Sequence, residues 1–175
     1  MLLISHDDAP GGTLKDYTLD KTHRAASYFK PTLPANAVSW KITRVKFYAV
    51  LNGATTDTLA VQIRPSDAAM KPAASVLASV QIPEAQLGAS FMWTEVSFGS
   101  CQGLAPASGY CLVLAQATLV DKVAKVKWED AGSPMTANAH WMTSADSGAT
   151  WTAPNSTQDL RFYVYGTVTT EGPPQ

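Results

Sequence analysis

Apolar and polar residues alternate with a period of two along most of this chain, the mark of half-buried strands. Val45, Phe47, Ala49 and Leu51 alternate with Arg44, Lys46 and Tyr48, and Asn52-Gly53 follows as a turn. Leu59, Val61 and Ile63 alternate with Ala60, Gln62 and Arg64 until Pro65-Ser66-Asp67 stops the run. Residues 76–82 predict another strand. Pro83 to Gly88 predicts a single helical turn, with Pro at its start and Gly after its end. Met92, Thr94, Val96 and Phe98 share one face. Residues 110–117 are almost wholly apolar, as expected of a central strand covered on both sides. Residues 122–128 and 139–144 are weaker strands. Leu160, Phe162 and Val164 alternate with Arg161, Tyr163 and Tyr165 in a strong last one. About eight to ten short strands with regular turn signals, and no sustained helical period, predict an all-β fold: an antiparallel two-sheet sandwich of jelly-roll type.

The two ends read differently. Residues 1–24 hold Asp7-Asp8 and Pro10-Gly11-Gly12 and show no sustained periodicity. They predict an extended N-terminal arm, ordered only against a neighbour or the domain itself, with Leu2, Leu3, Ile4 and Tyr17 as its anchors. Residues 25–168 form the sandwich, and residues 169–175 a polar tail.

Composition narrows the classes. Charged residues make up 15% and the net charge is −1, so nothing attracts nucleic acid or an anionic membrane over long range. Lys122, Lys125 and Lys127 read as the solvated face of a strand. The apolar start Met1 to Ile4 is too short for a secretory h-region, and no run approaches a membrane span. Synthesis in the cytoplasm is therefore expected. Cys101 and Cys111 fit either one disulfide or two buried thiols.

Ser144-Ala145-Asp146-Ser147-Gly148-Ala149-Thr150-Trp151 follows the pattern Ser-x-Asp-x-Gly-x-Thr-Trp and resembles the Asp-box, a β-hairpin turn motif. Asp146 can bond nearby backbone, Gly148 can take a positive φ, and Trp151 can fold back as an apolar cover. A single copy in a chain of 175 residues excludes a sialidase-type propeller with blades of roughly 40–50 residues. Four landmarks occur in order: Ala25 to Phe29 with Trp40 to Tyr48; Val76 to Ser79 with Ile82-Pro83; Trp93 to Phe98 leading through Leu104 to Gly109 into Tyr110 to Leu114; and the Asp-box with Asp159 to Gly166. Together they resemble the jelly-roll accessory domains of large bacterial surface proteins and phage structural proteins, which in turn look like carbohydrate-binding modules. The resemblance implies a jelly roll and a non-catalytic role, and carries over no defined ligand.

Motifs for chemistry are thin. Gly99-Ser100-Cys101-Gln102-Gly103 matches a cysteine form of the nucleophile elbow, but Pro106 and Gly109 make the following segment a loop where a helix is needed. Ser5-His6-Asp7 are consecutive, so their side chains diverge, and a triad is assembled from separated positions. His6, His23 and His140 are scattered and lack zinc spacing. A structural calcium would take Asp121, Glu129, Asp130 or Asp146, without a loop pattern to place it, and no other cofactor is expected; Asp146 reads better as a turn cap. No nucleotide-binding glycine motif occurs. Among the aromatics, Trp128 and Trp141, with Glu129 and Asp130, are the candidate glycan site, since flat rings stack on sugar faces; Trp40 and Trp93 read as core.

The leading expectation is a non-catalytic virion component: a decoration, head-fibre or tail-associated protein. The arm and one exposed sheet face would contact further copies or capsid and tail proteins. The alternative is a carbohydrate-binding or host-attachment module. A hydrolase would rest on Cys101 alone.

Overall fold

The computed structural model describes residues 1–53, 56–117 and 124–172. Its strands are β1 (Leu2–His6), β2 (Thr13–Leu19), β3 (Arg24–Phe29), β4 (Ala37–Leu51), β5 (Thr58–Pro65), β6 (Ala78–Pro83), β7 (Met92–Ser97), β8 (Tyr110–Gln116), β9 (Ala124–Asp130), β10 (Ala139–Ser144), β11 (Gln158–Leu160) and β12 (Phe162–Thr170). One 3₁₀ turn, Glu84–Gln86, follows Pro83 where the helical turn is expected. The strands form two antiparallel sheets packed against each other, so the chain is an all-β sandwich. The seven-stranded sheet runs β1-β12-β4-β9-β11, with β2 added to β9 and β7 to β4; the five-stranded sheet runs β10-β3-β8-β5-β6. From β3 to β12 the chain crosses between the sheets at each connection except β5 to β6 and β11 to β12.

The main core lies between the sheets and contains Phe29, Trp40, Phe47, Leu112, Leu114, Phe162 and Val164. Fully burying one such side chain is worth about 1.5–3 kcal/mol relative to leaving it exposed. A second cluster sits on the opposite face of the smaller sheet: Ala26, Tyr28, Cys111, Val113, Ala115, Met142 and Trp151. The period of two separates the clusters, since Tyr110, Leu112 and Leu114 face the main core and Cys111, Val113 and Ala115 the other. β8 is therefore buried on both faces, which accounts for its continuous apolar run.

Residues 1–24 lie along the domain itself, the second of the two placements expected of them. β1 pairs with β12, and β2 pairs with β9 along its whole length. Leu3, Ile4 and Tyr17 pack against the domain's own core, while Leu2 stays exposed. The anchors thus hold the segment to its own sheet. The alternation of Tyr17 and Leu19 with Asp16 and Thr18 is the strand signal, weakened because these short strands face water on one side. Other bounds also differ from expectation. Val76 and Leu77 are exposed and precede β6. β4 begins seven residues before Arg44. β12 continues through Thr169 and Thr170, which pair with Ser39 and Ala37, so the tail begins later. Lys122 and Asp121 lie outside the described residues.

Cys101 and Cys111 are free buried thiols, the second of the two alternatives. Burial pushes Cys101 up to about 11 and Cys111 higher still. A nucleophilic thiol needs its acidity shifted the other way.

Candidate functional site

The Asp-box hairpin is a structural device. Asp146 Oδ1 accepts the Thr150 amide and the Ser144 hydroxyl at 2.8 Å each, and Oδ2 accepts the Thr150 hydroxyl. The Thr150 hydroxyl and amide bonds bring Asp146 down to about 2. Ser147 and Gly148 both have positive φ, and the Gly148 amide donates to Ser144 Oγ. The turn is tied to the β2–β3 connection, because Ser147 donates to the carbonyls of Thr22 and Lys21. This geometry lays Trp151 over the outer apolar face of the smaller sheet, a wider cover than its own turn. The return segment is irregular and bonds back through Thr152 to Thr143 and Asn155 to Trp141.

Trp128 and Trp141 do come together, as a packed pair. Their rings stack at 5.6 Å with 9° between planes. Trp141 is buried and meets Tyr17 edge to face, and Lys15 Nζ lies 5.0 Å from the Trp128 ring. Glu129 is fully buried and lies 2.7 Å from His6 Nε2. Asp130 accepts Lys15 and Gln158. The Trp128 ring thus lies between Trp141 and Lys15, and Glu129 and Asp130 accept bonds from within the protein. With Asp146 also saturated by its turn, the calcium candidates among the described residues are engaged within the protein. No group of three or more His, Cys, Asp or Glu side chains among the described residues is arranged to hold a metal ion.

The outer face of the larger sheet is different. On β4, Val45, Phe47 and Ala49 point to the core, so Arg44, Lys46 and Tyr48 point outward. On β12 the same alternation turns Tyr163 and Tyr165 outward, and on β7 it turns Trp93 and Glu95 outward. Trp93, expected in the core, is therefore a half-buried residue of this face. Register then assembles the patch: Lys46 sits opposite Tyr163 and Glu95, Arg44 opposite Tyr165, and Tyr48 opposite Trp93.

The rings form a continuous row. Tyr48 stacks on Phe91 at 5.8 Å and meets Trp93 at 5.1 Å; Trp93 meets Tyr163 edge-on at 4.9 Å; Tyr163 stacks on Tyr165 at 6.2 Å. Cations lie over them. The Arg161 guanidinium is 4.5 Å from the Tyr48 ring and 5.2 Å from Trp93, Arg44 is 4.1 Å from Tyr165, and Lys127 is 4.4 Å from Phe91. Each cation also has an acidic partner: Glu95 for Arg44 and Lys46 at 3.3 Å each, Asp16 for Lys127, and Asp7 for Arg161. The Tyr163 hydroxyl donates to Asp7 Oδ2 at 2.7 Å. Burial works to raise Asp7, and its bonds to Arg161 and Tyr163 outweigh that and lower it.

Sequence alternation shows Tyr48, Tyr163 and Tyr165 as outward positions; it does not show that β4 and β12, from distant parts of the chain, set them side by side with Trp93 of β7. A shallow cleft of about 400 Å³ lies elsewhere, lined by Ser39, Trp40, Lys41, Gln102, Gly103, Thr167 and Thr169. Trp40 is buried there and offers no ring face. Among the described residues no helix is long and apolar enough to cross a membrane. The chain matches no protein-family model and no curated protein.

Proposed function

We propose that this chain is a non-catalytic assembly module that docks on further copies of itself through the outer face of the larger sheet. The observation that carries the proposal is the continuous row Phe91, Tyr48, Trp93, Tyr163 and Tyr165 with Arg44 and Arg161 laid over it. Trp, Tyr and Arg dominate the energetics of protein interfaces. Both signs of charge alternate across the face, as in Arg44 beside Glu95 and Lys127 beside Asp16. A two-fold contact brings the same patch against itself, so it needs this self-complementarity; a face of one sign would repel its copy. The setting we propose is a virion-type particle, in which the module serves as a decoration, head-fibre or tail-associated protein. That setting rests on the resemblance in the sequence.

A carbohydrate-binding role would have to use the same rings. The cations over Tyr48, Trp93, Tyr165 and Phe91 occupy positions where a sugar would stack, which favours protein contacts. Paired charge reversal tests the proposal. Arg44→Glu and Glu95→Lys should each abolish self-association while keeping the melting temperature within a few degrees, and mixing the two variants should restore it. Association that survives both reversals would refute this interface. Glycan-array binding that Trp93→Ala removes would establish the carbohydrate role instead.

A further inference from the structure

Under the loop that follows β1 lies a closed cluster of ionisable groups. His6, Glu129 and Asp159 come from β1, β9 and β11, and all three are buried. His6 Nε2 is 2.7 Å from Glu129 Oε2, and His6 Nδ1 is 3.0 Å from Thr136 Oγ1 and 3.7 Å from Asp159 Oδ2. The Thr136 amide donates to Asp159 Oδ2, while Asp159 Oδ1 is buried with no partner. The loop itself closes on Glu129. The Ala9 amide points at both Glu129 oxygens at 3.1 Å, and a Cβ on Gly12 would fall 1.7 Å from Oε1. The cluster therefore clasps the N-terminal segment to β9 and β11.

One imidazole faces two buried carboxyls. A neutral Asp159 adds no second negative charge beside Glu129, whose charge already acts on it. Removing the Asp159 proton leaves an uncompensated negative charge out of water, at a carboxyl oxygen with nothing to bond it. Asp7, next to His6 in the chain, pairs with Arg161, and Asp130, next to Glu129, pairs with Lys15. We propose that the His6–Glu129–Asp159 cluster is a proton-sensitive clasp that holds residues 1–12 on the sheet while Asp159 is neutral and loosens them when Asp159 loses its proton. Burial, with a smaller contribution from the Glu129 charge, pushes Asp159 up to about 7. A carboxyl raised in the folded state contributes stability below its unfolded value near 3.8, and loses it as pH rises through about 7. Loosening thus grows from mildly acidic solution toward neutrality and is complete above about pH 7.

The clasp stands apart from the proposed assembly role. Its consequence for assembly rests on that role, because Asp7 in the same loop is the partner of Arg161 and Tyr163 on the docking face.

Hydrogen exchange reads the clasp directly and needs no partner. Protection of the Ile4 and Ala9 amides, each relative to an unstructured peptide at the same pH, should fall at least tenfold from pH 5.5 to pH 8.5, while that of Leu112 changes little. Asp159→Asn, which stays neutral, should remove this dependence. Equal protection at both pH values, or an unchanged dependence in Asp159→Asn, would overturn the proposal. If that variant does not fold, the side-chain carboxyl carbon of Asp159 in the unmodified protein decides. A titration midpoint near 7 is expected, and one below 5 overturns the clasp.

Discussion

The Arg161 guanidinium lies over two rings at once, 4.5 Å from Tyr48 and 5.2 Å from Trp93, and is held there by Asp7. A planar cation can lie on a ring and still bond a carboxylate at its edge; an ammonium cannot do both equally well. Arg161→Lys keeps the charge and loses the plane. It should cost about 1–2 kcal/mol, toward the desolvated end for a cation–π contact because the side chain is only 13% exposed, read as a lower urea midpoint with an unchanged slope. An unchanged midpoint would show that the stacking contributes nothing.

The Asp-box hairpin should behave as a staple for the smaller sheet. Trp151→Ala uncovers Tyr28, Val113 and Met142 and should destabilise the fold by about 2–4 kcal/mol, toward the lower end because the ring is at the surface of its cluster. Gly148→Ala must hold φ near +84° and bring a methyl group to 3.0 Å from Arg24 Nη1, so about 1 kcal/mol or more should be lost. Urea unfolding followed by circular dichroism measures both. A Trp151→Ala protein as stable as the parent would mean that the ring covers nothing of consequence.

Acid should act on this hairpin late. Asp146 sits at about 2 because the ionised carboxylate accepts bonds from Thr150 and Ser144. A carboxyl lowered in the folded state contributes stability above its ordinary value of 3.8, and that contribution is lost as pH falls through about 2. The Thr150 amide signal, which reports the bond to Asp146, should therefore titrate with a midpoint about 2. A midpoint near 4 would show that the carboxylate is not held as described.

The two-sheet architecture was legible because residues 44–51, 59–64 and 160–165 alternate cleanly, and because residues 110–117 could only be a strand covered on both faces. The first two strands were not. Their polar alternates and the Pro10-Gly11-Gly12 break hide a pattern that needs β12 and β9 beside it to bury Ile4 and Leu19. The docking face was half legible: Tyr48, Tyr163 and Tyr165 were outward, but adjacency is a property of register between distant strands. Trp93 illustrates the limit. A large apolar ring reads as core by its residue type, although the shared face of Met92, Thr94 and Val96 already put Trp93 on the opposite side. Trp141 and Glu129 show the converse, since a loop-like neighbourhood in sequence became a packed interior once β2 and the loop of residues 7–12 closed over β9.

In the proposed assembly the outer face of the larger sheet joins copies of this chain. Sedimentation equilibrium of the intact protein across a hundredfold range of concentration tests it most directly, with Trp93→Ala run beside it. The expected result is a mass rising above the 18.6 kDa of one chain for the parent, and a single-chain mass at every concentration for the equally well-folded variant. A parent that stays at the single-chain mass throughout, or a variant that associates as the parent does, would contradict it.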